Sequence, residues 1–235
     1  MAKKLLKEGA GESFSVTARE QTSGRGRMSR SFFSPRDEGL YLSFCTEAKG
    51  DFLRFGALSA LAVHALAEEY FKLDVRFKWP NDVVSGGKKL CGILPESVVS
   101  EEGKRYVVVG VGLNVFESAA DFGALRDTAT SARECCRNND LICAFLQDKH
   151  GILLDMGVRL TELLARLAEL TTGGEDLSEE YRSRLVTLGR KVRFSGEDGK
   201  LREGVAEDVT RDLALVVRTA EGVERVRWGE VVHLV

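Results

Sequence analysis

Arginine and glycine alternate in the segment EQTSGRGRMSRSF, which runs from Glu20 to Phe32. Arginine keeps its charge at any physiological pH, and its guanidinium group binds carboxylates and phosphates through parallel N–H groups. Glycine lets the backbone turn tightly and approach a ligand closely. The segment has no hydrophobic periodicity, so the sequence predicts a loop that is either a solvated turn or a site for an anion. Its arginines and glycines are Gly24, Arg25, Gly26, Arg27 and Arg30.

Two later segments also combine residue types that are unusual at strand ends. KWPND, residues 78–82, is followed by KKLCGIL, residues 88–94, and a further strand contains VGVGLN, residues 109–114. Gly110 and Gly112 alternate along that strand and therefore face the same side of the sheet. Without side chains there, the strand leaves room for a ligand or for close backbone packing.

Together these three ordered motifs resemble those of the biotin protein ligases, the biotin–[acetyl-CoA-carboxylase] ligases. The resemblance rests on QT-x-GRGR, on KWPND followed by KK-L-x-GIL-x-E, and on G-x-G-x-N, and it covers nearly the whole chain. It implies an α+β fold, with a mixed β-sheet flanked by helices. This is the class II synthetase-like catalytic fold of biotin and lipoate ligases, expected over residues 1–187, with a small SH3-like β-barrel over residues 188–235.

The resemblance also implies a reaction and its participants. Such enzymes join biotin to ATP as biotinyl-5'-AMP, release pyrophosphate, and transfer biotin to one lysine of the biotin carboxyl carrier protein. Lys89 aligns with the family's catalytic lysine, and Arg27 and Asp82 are the further candidates for catalytic residues. Asp82 is expected to serve as proton acceptor, as positioning group or as Mg²⁺ ligand. The implied ligand-binding residues are Gln21, Gly24, Arg25, Gly26, Arg27, Phe32, Trp79, Asn81, Lys89, Gly92, Gly112 and Asn114.

The arginine loop is expected to be mobile until biotin binds, because so polar a segment gains little from being ordered alone. It departs from the family pattern GRGR-x-GR-x-W at Ser29 and Phe32, although Phe32 can still stack on adenine. The family's first strand, with its Ser-Thr-Asn-like segment, is expected to be missing, since Met1 opens inside the following helix. A truncated, non-catalytic relative therefore remains an alternative.

Several elements must position these motifs. AKKLLKEG predicts a helix and ESFSVTARE a strand, and a second strand is predicted over residues 40–46. Residues 52–73 predict one long buried helix, and residues 141–170 a helix or a helix pair interrupted at Gly151. LSEEYRSRLVTLG predicts a short helix capped by its first serine and closed by Gly189. From Arg190 onward, short alternating strands predict the barrel.

Composition limits the function classes. The chain has 235 residues with 43% hydrophobic and 30% charged residues and a net charge of −2, which argues against a surface given over to nucleic acid or anionic lipid. Apolar runs are too short for a membrane span, and we expect a cytoplasmic protein. Its five cysteines lack C-x-x-C spacing, which is typical of reduced thiols.

Two other functions compete with biotin ligation. The sister family of lipoate ligases and octanoyltransferases shares the catalytic fold but lacks the paired GRGR and KWPND motifs. An RNA-binding module would use the basic N-terminal region and the barrel, but Phe194 and Trp228 are the barrel's only aromatic residues and form no stacking platform. No helix-turn-helix pattern precedes the catalytic motifs, so no DNA partner is expected. A homodimer formed through the catalytic sheet is left open.

Overall fold

The computed structural model describes residues 1–11, 13–48, 54–172, 175–196, 198–227 and 229–234. The helices are α1 (Ala2–Lys7), α2 (Arg54–Phe71), α3 (Ala132–Cys135), α4 (Asn139–Gln147), α5 (Lys149–Thr172) and α6 (Ser178–Ser183). The first six strands are β1 (Ser13–Ala18), β2 (Gly39–Glu47), β3 (Arg76–Lys78), β4 (Asp82–Ser85), β5 (Lys88–Val99) and β6 (Arg105–Asn114). The last five are β7 (Lys191–Ser195), β8 (Leu201–Val209), β9 (Leu215–Thr219), β10 (Gly222–Val226) and β11 (Val231–His233).

Strands β1 to β6 form one sheet in the order β1-β2-β6-β5-β4-β3. Its ladders are antiparallel, and parallel pairing among the described residues is limited to isolated bridges that join Phe77 to Leu185 and Lys89 to Ala129. Strands β7 to β11 form a second, antiparallel sheet in the order β10-β9-β8-β7-β11. The α+β architecture with a C-terminal sheet of SH3-like strand content agrees with the sequence prediction.

The main core lies between the first sheet and the helices α2 and α5. Alternate residues of β6 from Val107 to Leu113 are buried and face these helices, as the two-residue period of a strand requires. Helix α2 is apolar almost all round because the sheet covers one side of it and α5 another. Phe77 stacks on Tyr181 with ring centroids 5.2 Å apart and thereby ties α6 to β3.

Two helix boundaries differ from the sequence prediction. The break between α4 and α5 falls at Asp148 and not at Gly151, because the Asp148 carboxylate accepts a hydrogen bond from the Gly151 amide (2.9 Å) and starts the new helix. Helix α6 starts at Ser178, whose amide donates to the carboxylate of Asp176 (3.0 Å), so that aspartate and not the serine satisfies the helix start.

Helix α6 also ends at Ser183, well before Gly189, because Leu185 bridges to β3. Of the predicted long helix, Phe52 and Leu53 lie outside the described residues, and so does Trp228 of the barrel.

In the part of the chain that the structure describes, no helix combines the length and apolar character that a membrane span requires.

One carboxyl group is fully buried just after β6. Glu117 has no exposed surface, and burial raises the pKa of its carboxyl group to about 8. The Ser131 hydroxyl donates to the Glu117 main-chain oxygen (2.6 Å), which fixes the backbone beneath this side chain. Glu117 is therefore neutral at neutral pH, and a charge must be buried there at higher pH.

Replacing Glu117 by Gln should flatten the pH dependence of stability. A carboxyl group whose pKa is raised by folding binds more protons in the folded state, so its contribution is complete below about pH 4.5 and is lost as pH rises through about 8. Urea unfolding at pH 5, 7 and 8.5 should show Glu117→Gln losing less stability with pH than the parent, by on the order of 3 kcal/mol. Exposed Glu101→Gln is the control, and equal slopes in all three proteins would contradict the assignment.

Candidate active site

A β-bulge decides where Lys89 points. Val83 pairs with Cys91 and the next residue of β4, Val84, pairs with Lys89, so Leu90 is the extra residue on β5. Strict alternation would turn Lys89 away from Gly92, but the bulge brings both to the same face. The Lys89 ammonium then lies 2.7 Å from the Asp82 carboxylate.

Bare backbone forms the floor beside this ion pair. Gly92 pairs directly with Gly112 across β5 and β6, and Gly110 continues the same face. The ring of Phe32 lies on this floor, where a Cβ added to Gly112 would come within 2.6 Å of it. The Lys89 ammonium lies 5.9 Å from the centroid of the same ring. The predicted ligand face of VGVGLN is thus a trough, and Phe32 lies in it.

The arginine loop has an internal hydrogen-bond framework. The Phe32 amide donates to the Gly24 oxygen (2.9 Å), and the Gly26 amide donates to the Arg30 oxygen (2.7 Å). At its base the Ser34 hydroxyl donates to the Gln21 side-chain oxygen (2.9 Å). The loop therefore has stabilising contacts of its own, whereas its expected mobility assumed that it gains little from being ordered alone. The mobility itself stays a prediction.

Arg27 lies at the meeting point of three segments. Its guanidinium group donates to the Asn81 side-chain oxygen (3.2 Å) and to the main-chain oxygen of Gly229 in the second sheet's region. Burial lowers the pKa of Arg27, and the nearby carboxylates of Asp82 and Glu230 oppose that effect. Because arginine stays charged even so, this half-buried cation suits an incoming oxyanion that would replace its present acceptors.

The turn from Trp79 to Asn81 is fixed from both sides. The Trp79 indole N–H donates to the Leu213 oxygen (3.1 Å), and the Trp79 amide donates to the hydroxyl of Thr187 (3.0 Å). The Asn81 amide group donates to the Ile93 oxygen (3.0 Å) on β5. This turn leads straight into Asp82, so β5 and the C-terminal part of the chain together set the position of the Lys89–Asp82 pair.

A cavity of about 390 Å³ opens over the trough, a size typical of small-molecule sites. Its wall also includes Met1, Ala2 and Lys3 from the start of α1. Nine of the residues implied by the sequence motifs line it, namely Gln21, Arg25, Gly26, Arg27, Phe32, Asn81, Lys89, Gly92 and Gly112.

Four implied residues lie outside this lining. Asp82 lies behind Lys89, and Gly24 supports the loop through its hydrogen bond to Phe32. Asn114 is buried and donates to the Thr130 oxygen (2.9 Å). Trp79 is a buried core residue that lines a neighbouring cavity of about 190 Å³ together with Arg27 and Asn81.

Sequence reasoning missed three residues that shape the site. Thr187, Gly229 and Glu230 contact the KWPND turn or the arginine loop from far along the chain. No local signal in the sequence marks them, because each acts through a contact that only the docking of the second sheet creates. Arg30, which reads as a surface charge in the sequence, is the partner of Glu230.

The fold and the site define a two-sheet α+β protein whose cavity has a floor of glycine backbone and the cations of Lys89 and Arg27 in its lining. Residues 2–114 match the Biotin/lipoate A/B protein ligase family, and residues 187–234 match the Biotin protein ligase C terminal domain. The chain belongs to the biotin protein ligase family.

Individual relatives agree with this assignment. The chain is 29% identical over 234 residues to the bifunctional ligase/repressor BirA of Bacillus subtilis, covering 98% of this chain and 69% of that protein. It is 29% identical over 230 residues to the biotin–[acetyl-CoA-carboxylase] ligase of Mycobacterium tuberculosis, covering 93% and 78%. The solved Aquifex aeolicus biotin protein ligase in complex with biotin and ATP superposes with a TM-score of 0.76 at 26% identity, covering 99% and 94%.

Gly112→Ala should loosen the arginine loop, because its new Cβ would come within 2.6 Å of the Phe32 ring and displace it. Hydrogen exchange at the Phe32 amide, measured without ligand, should become at least several-fold faster. Gly110→Ala is the matched control, since its Cβ would meet only Leu94 at 3.7 Å or more. Equal exchange in the two variants would show that Phe32 does not rest on Gly112.

Proposed function

We propose that this chain is an ATP-dependent biotin ligase that makes biotinyl-5'-AMP and then transfers biotin to a protein lysine. The main evidence is that Lys89 and Arg27 line the same cavity, at the edge of a sheet floor formed by glycine backbone. Asp82 lies behind Lys89 and forms an ion pair with it. A ring system without bulky substituents fits such a floor, whereas a carboxylate and a phosphate fit the cations at its edge. Kinship with ligases of this name supports the same reading.

In the first step the biotin carboxylate oxygen attacks the α-phosphorus of ATP. The bond from that phosphorus to the bridging oxygen breaks, and pyrophosphate leaves. Two anions must approach each other, so the step needs preorganised positive charge in a water-poor site. Lys89 can place one ammonium between the carboxylate and the phosphoryl oxygens, while Arg27 offers a fork to the phosphate.

In the second step a neutral lysine amine of the acceptor protein attacks the carbonyl carbon of the mixed anhydride. The carbonyl carbon forms an amide bond, AMP leaves, and the amine must lose a proton. Asp82 is the carboxylate nearest Lys89 in the described site. We propose that it accepts this proton or orients Lys89, since its ion pair already fixes the ammonium position.

The donor set fits a magnesium ion that arrives with the nucleotide. Mg²⁺ is typically held by one or two carboxylates together with substrate phosphates, and Asp82 supplies one carboxylate. The described residues contain no group of three or more His, Cys, Asp or Glu side chains arranged for a metal ion. When bound, Mg²⁺ would supply neutralisation of the phosphate charge.

Several finer assignments belong to the same proposal. We propose a biotin carboxyl carrier protein as the acceptor, a cytoplasmic location, and a domain boundary between residues 187 and 188, which a C-terminal domain match that starts at residue 187 supports. A homodimer through the first sheet would use β1, which is an edge strand of that sheet. Sedimentation of the purified chain with and without biotin and ATP tests that dimer.

Exchange of labelled pyrophosphate into ATP tests the proposed function. The purified chain with magnesium should catalyse exchange with biotin and not with lipoate or octanoate. Exchange with lipoate would assign the chain to the sister activity. If none of the three acids supports exchange, the chain is a non-catalytic relative.

Neighbouring lysines allow a matched test of the assigned ammonium. Lys89→Gln should slow biotin-dependent exchange by about 10²-fold, because it removes the charge held at the cavity edge. Lys88→Gln should leave the rate near that of the parent, because the Lys88 ammonium contacts the Arg126 oxygen (2.7 Å) outside the cavity lining. Equal effects of the two changes would remove Lys89 from the catalytic set.

A further inference from the structure

Two hydrogen-bonded contacts join the arginine loop to the segment that precedes β11. Arg27 donates to the main-chain oxygen of Gly229, and Arg30 forms an ion pair with the carboxylate of Glu230. Donor and acceptor lie about 200 residues apart in the sequence in both cases. We call these four residues the loop clasp.

The clasp differs in kind from the contacts that hold the two sheets together. Trp79 and Thr187 are buried, and their hydrogen bonds fix the core of the junction. Arg30 and Glu230 have 68% and 36% of their side-chain surface exposed. Exposed ion pairs contribute little to global stability, so the effect of this pair is local, on the arginine loop.

The Arg30–Glu230 pair also affects the direction in which Arg27 points. One of its N–H groups is held by Gly229 and another by Asn81, so its fork points along the junction of the loop, the KWPND turn and the second sheet. Arg30 follows it after a short turn in which Met28 and Ser29 have positive φ angles of 52° and 60°. Fixing Arg30 therefore fixes the strained turn and, through it, the direction of Arg27.

We propose that Glu230 is a positioning residue of the ligase reaction, which holds the arginine loop against the C-terminal domain through Arg30 and so presents Arg27 to the nucleotide phosphates. This inference rests on the proposed function for its substrate and on the clasp geometry for its residues. Glu230 also lies near enough to oppose the effect of burial on the Arg27 pKa.

Hydrogen exchange in the substrate-free chain tests the clasp alone. Glu230→Gln should speed exchange at the amides of Gly26 and Arg30 several-fold while leaving the melting temperature unchanged. Glu203→Gln is the matched control, because Glu203 forms an exposed ion pair with Arg193 inside the same sheet. Unchanged exchange in Glu230→Gln, or an equal change in the control, would overturn the clasp.

Kinetics then test the positioning role. Glu230→Gln should raise the KM for ATP in pyrophosphate exchange about three- to tenfold, with a smaller effect on kcat, and Glu230→Asp should recover part of the loss. The charge swap Arg30→Glu with Glu230→Arg should recover more than either single change. A swap that performs no better than the single changes combined would overturn the role of the pair.

The two failures are distinguishable. If the parent chain supports no exchange with any acid, the proposed function fails, while the hydrogen-exchange result still decides the clasp. If the parent is active and Glu230→Gln matches it in KM for ATP, the positioning role fails while the ligase function stands.

Discussion

The site depends on one constraint, that a single sheet must be covered by helices on one face and left without side chains over part of the other. The face toward α2 and α5 carries large buried side chains, and their burial supplies the main stabilisation of the domain. The opposite face loses its side chains at Gly92, Gly110 and Gly112. A glycine in a strand weakens it, because it has no side chain to pack and a low strand propensity. The side chains buried on the covered face have to compensate for this loss of stability. At these positions β5 and β6 therefore alternate buried side chains, which stabilise the domain, with glycines, which leave space.

This alternation explains which parts could be predicted from the sequence. The period-two pattern of VVVGVGLNV indicates both the strand and the shared face of its glycines, because each depends only on nearest neighbours along the chain. The helices followed likewise from apolar spacing, while their ends did not. The breaks at Asp148 and Ser183 depend on one side-chain hydrogen bond and one bridge to a distant strand.

Lys89 shows why the site could not follow from pattern alone. In a regular strand Lys89 would share a face with Cys91 and Ile93, both of which are buried toward the helices. Only the extra residue at Leu90 turns the lysine to the glycine face, and nothing in KKLCGIL marks the bulge. The family motifs identified Lys89 because they come from proteins that share the folded arrangement. Residue spacing indicates only the local preference of the backbone. Trp79 differs from Lys89, since its motif implied a ligand contact and its ring is buried beside a second cavity, so its ligand contact stays a prediction.

The location of the site at the seam between the two sheets has a physical reason. The Lys89–Asp82 pair needs a rigid base, and the first sheet holds the turn before Asp82 through the pairing of Lys78 with Asp82 and the Asn81 contacts to Ile93. Thr187 and Leu213 supply the missing hydrogen-bond acceptors on the other side, and both are buried, so these bonds are shielded from water. A turn held by one sheet alone would expose the Trp79 ring and leave its N–H groups to solvent. The second sheet is therefore part of the frame of the ion pair, and undocking it would disturb Asp82 before it disturbed the core between β6 and α2.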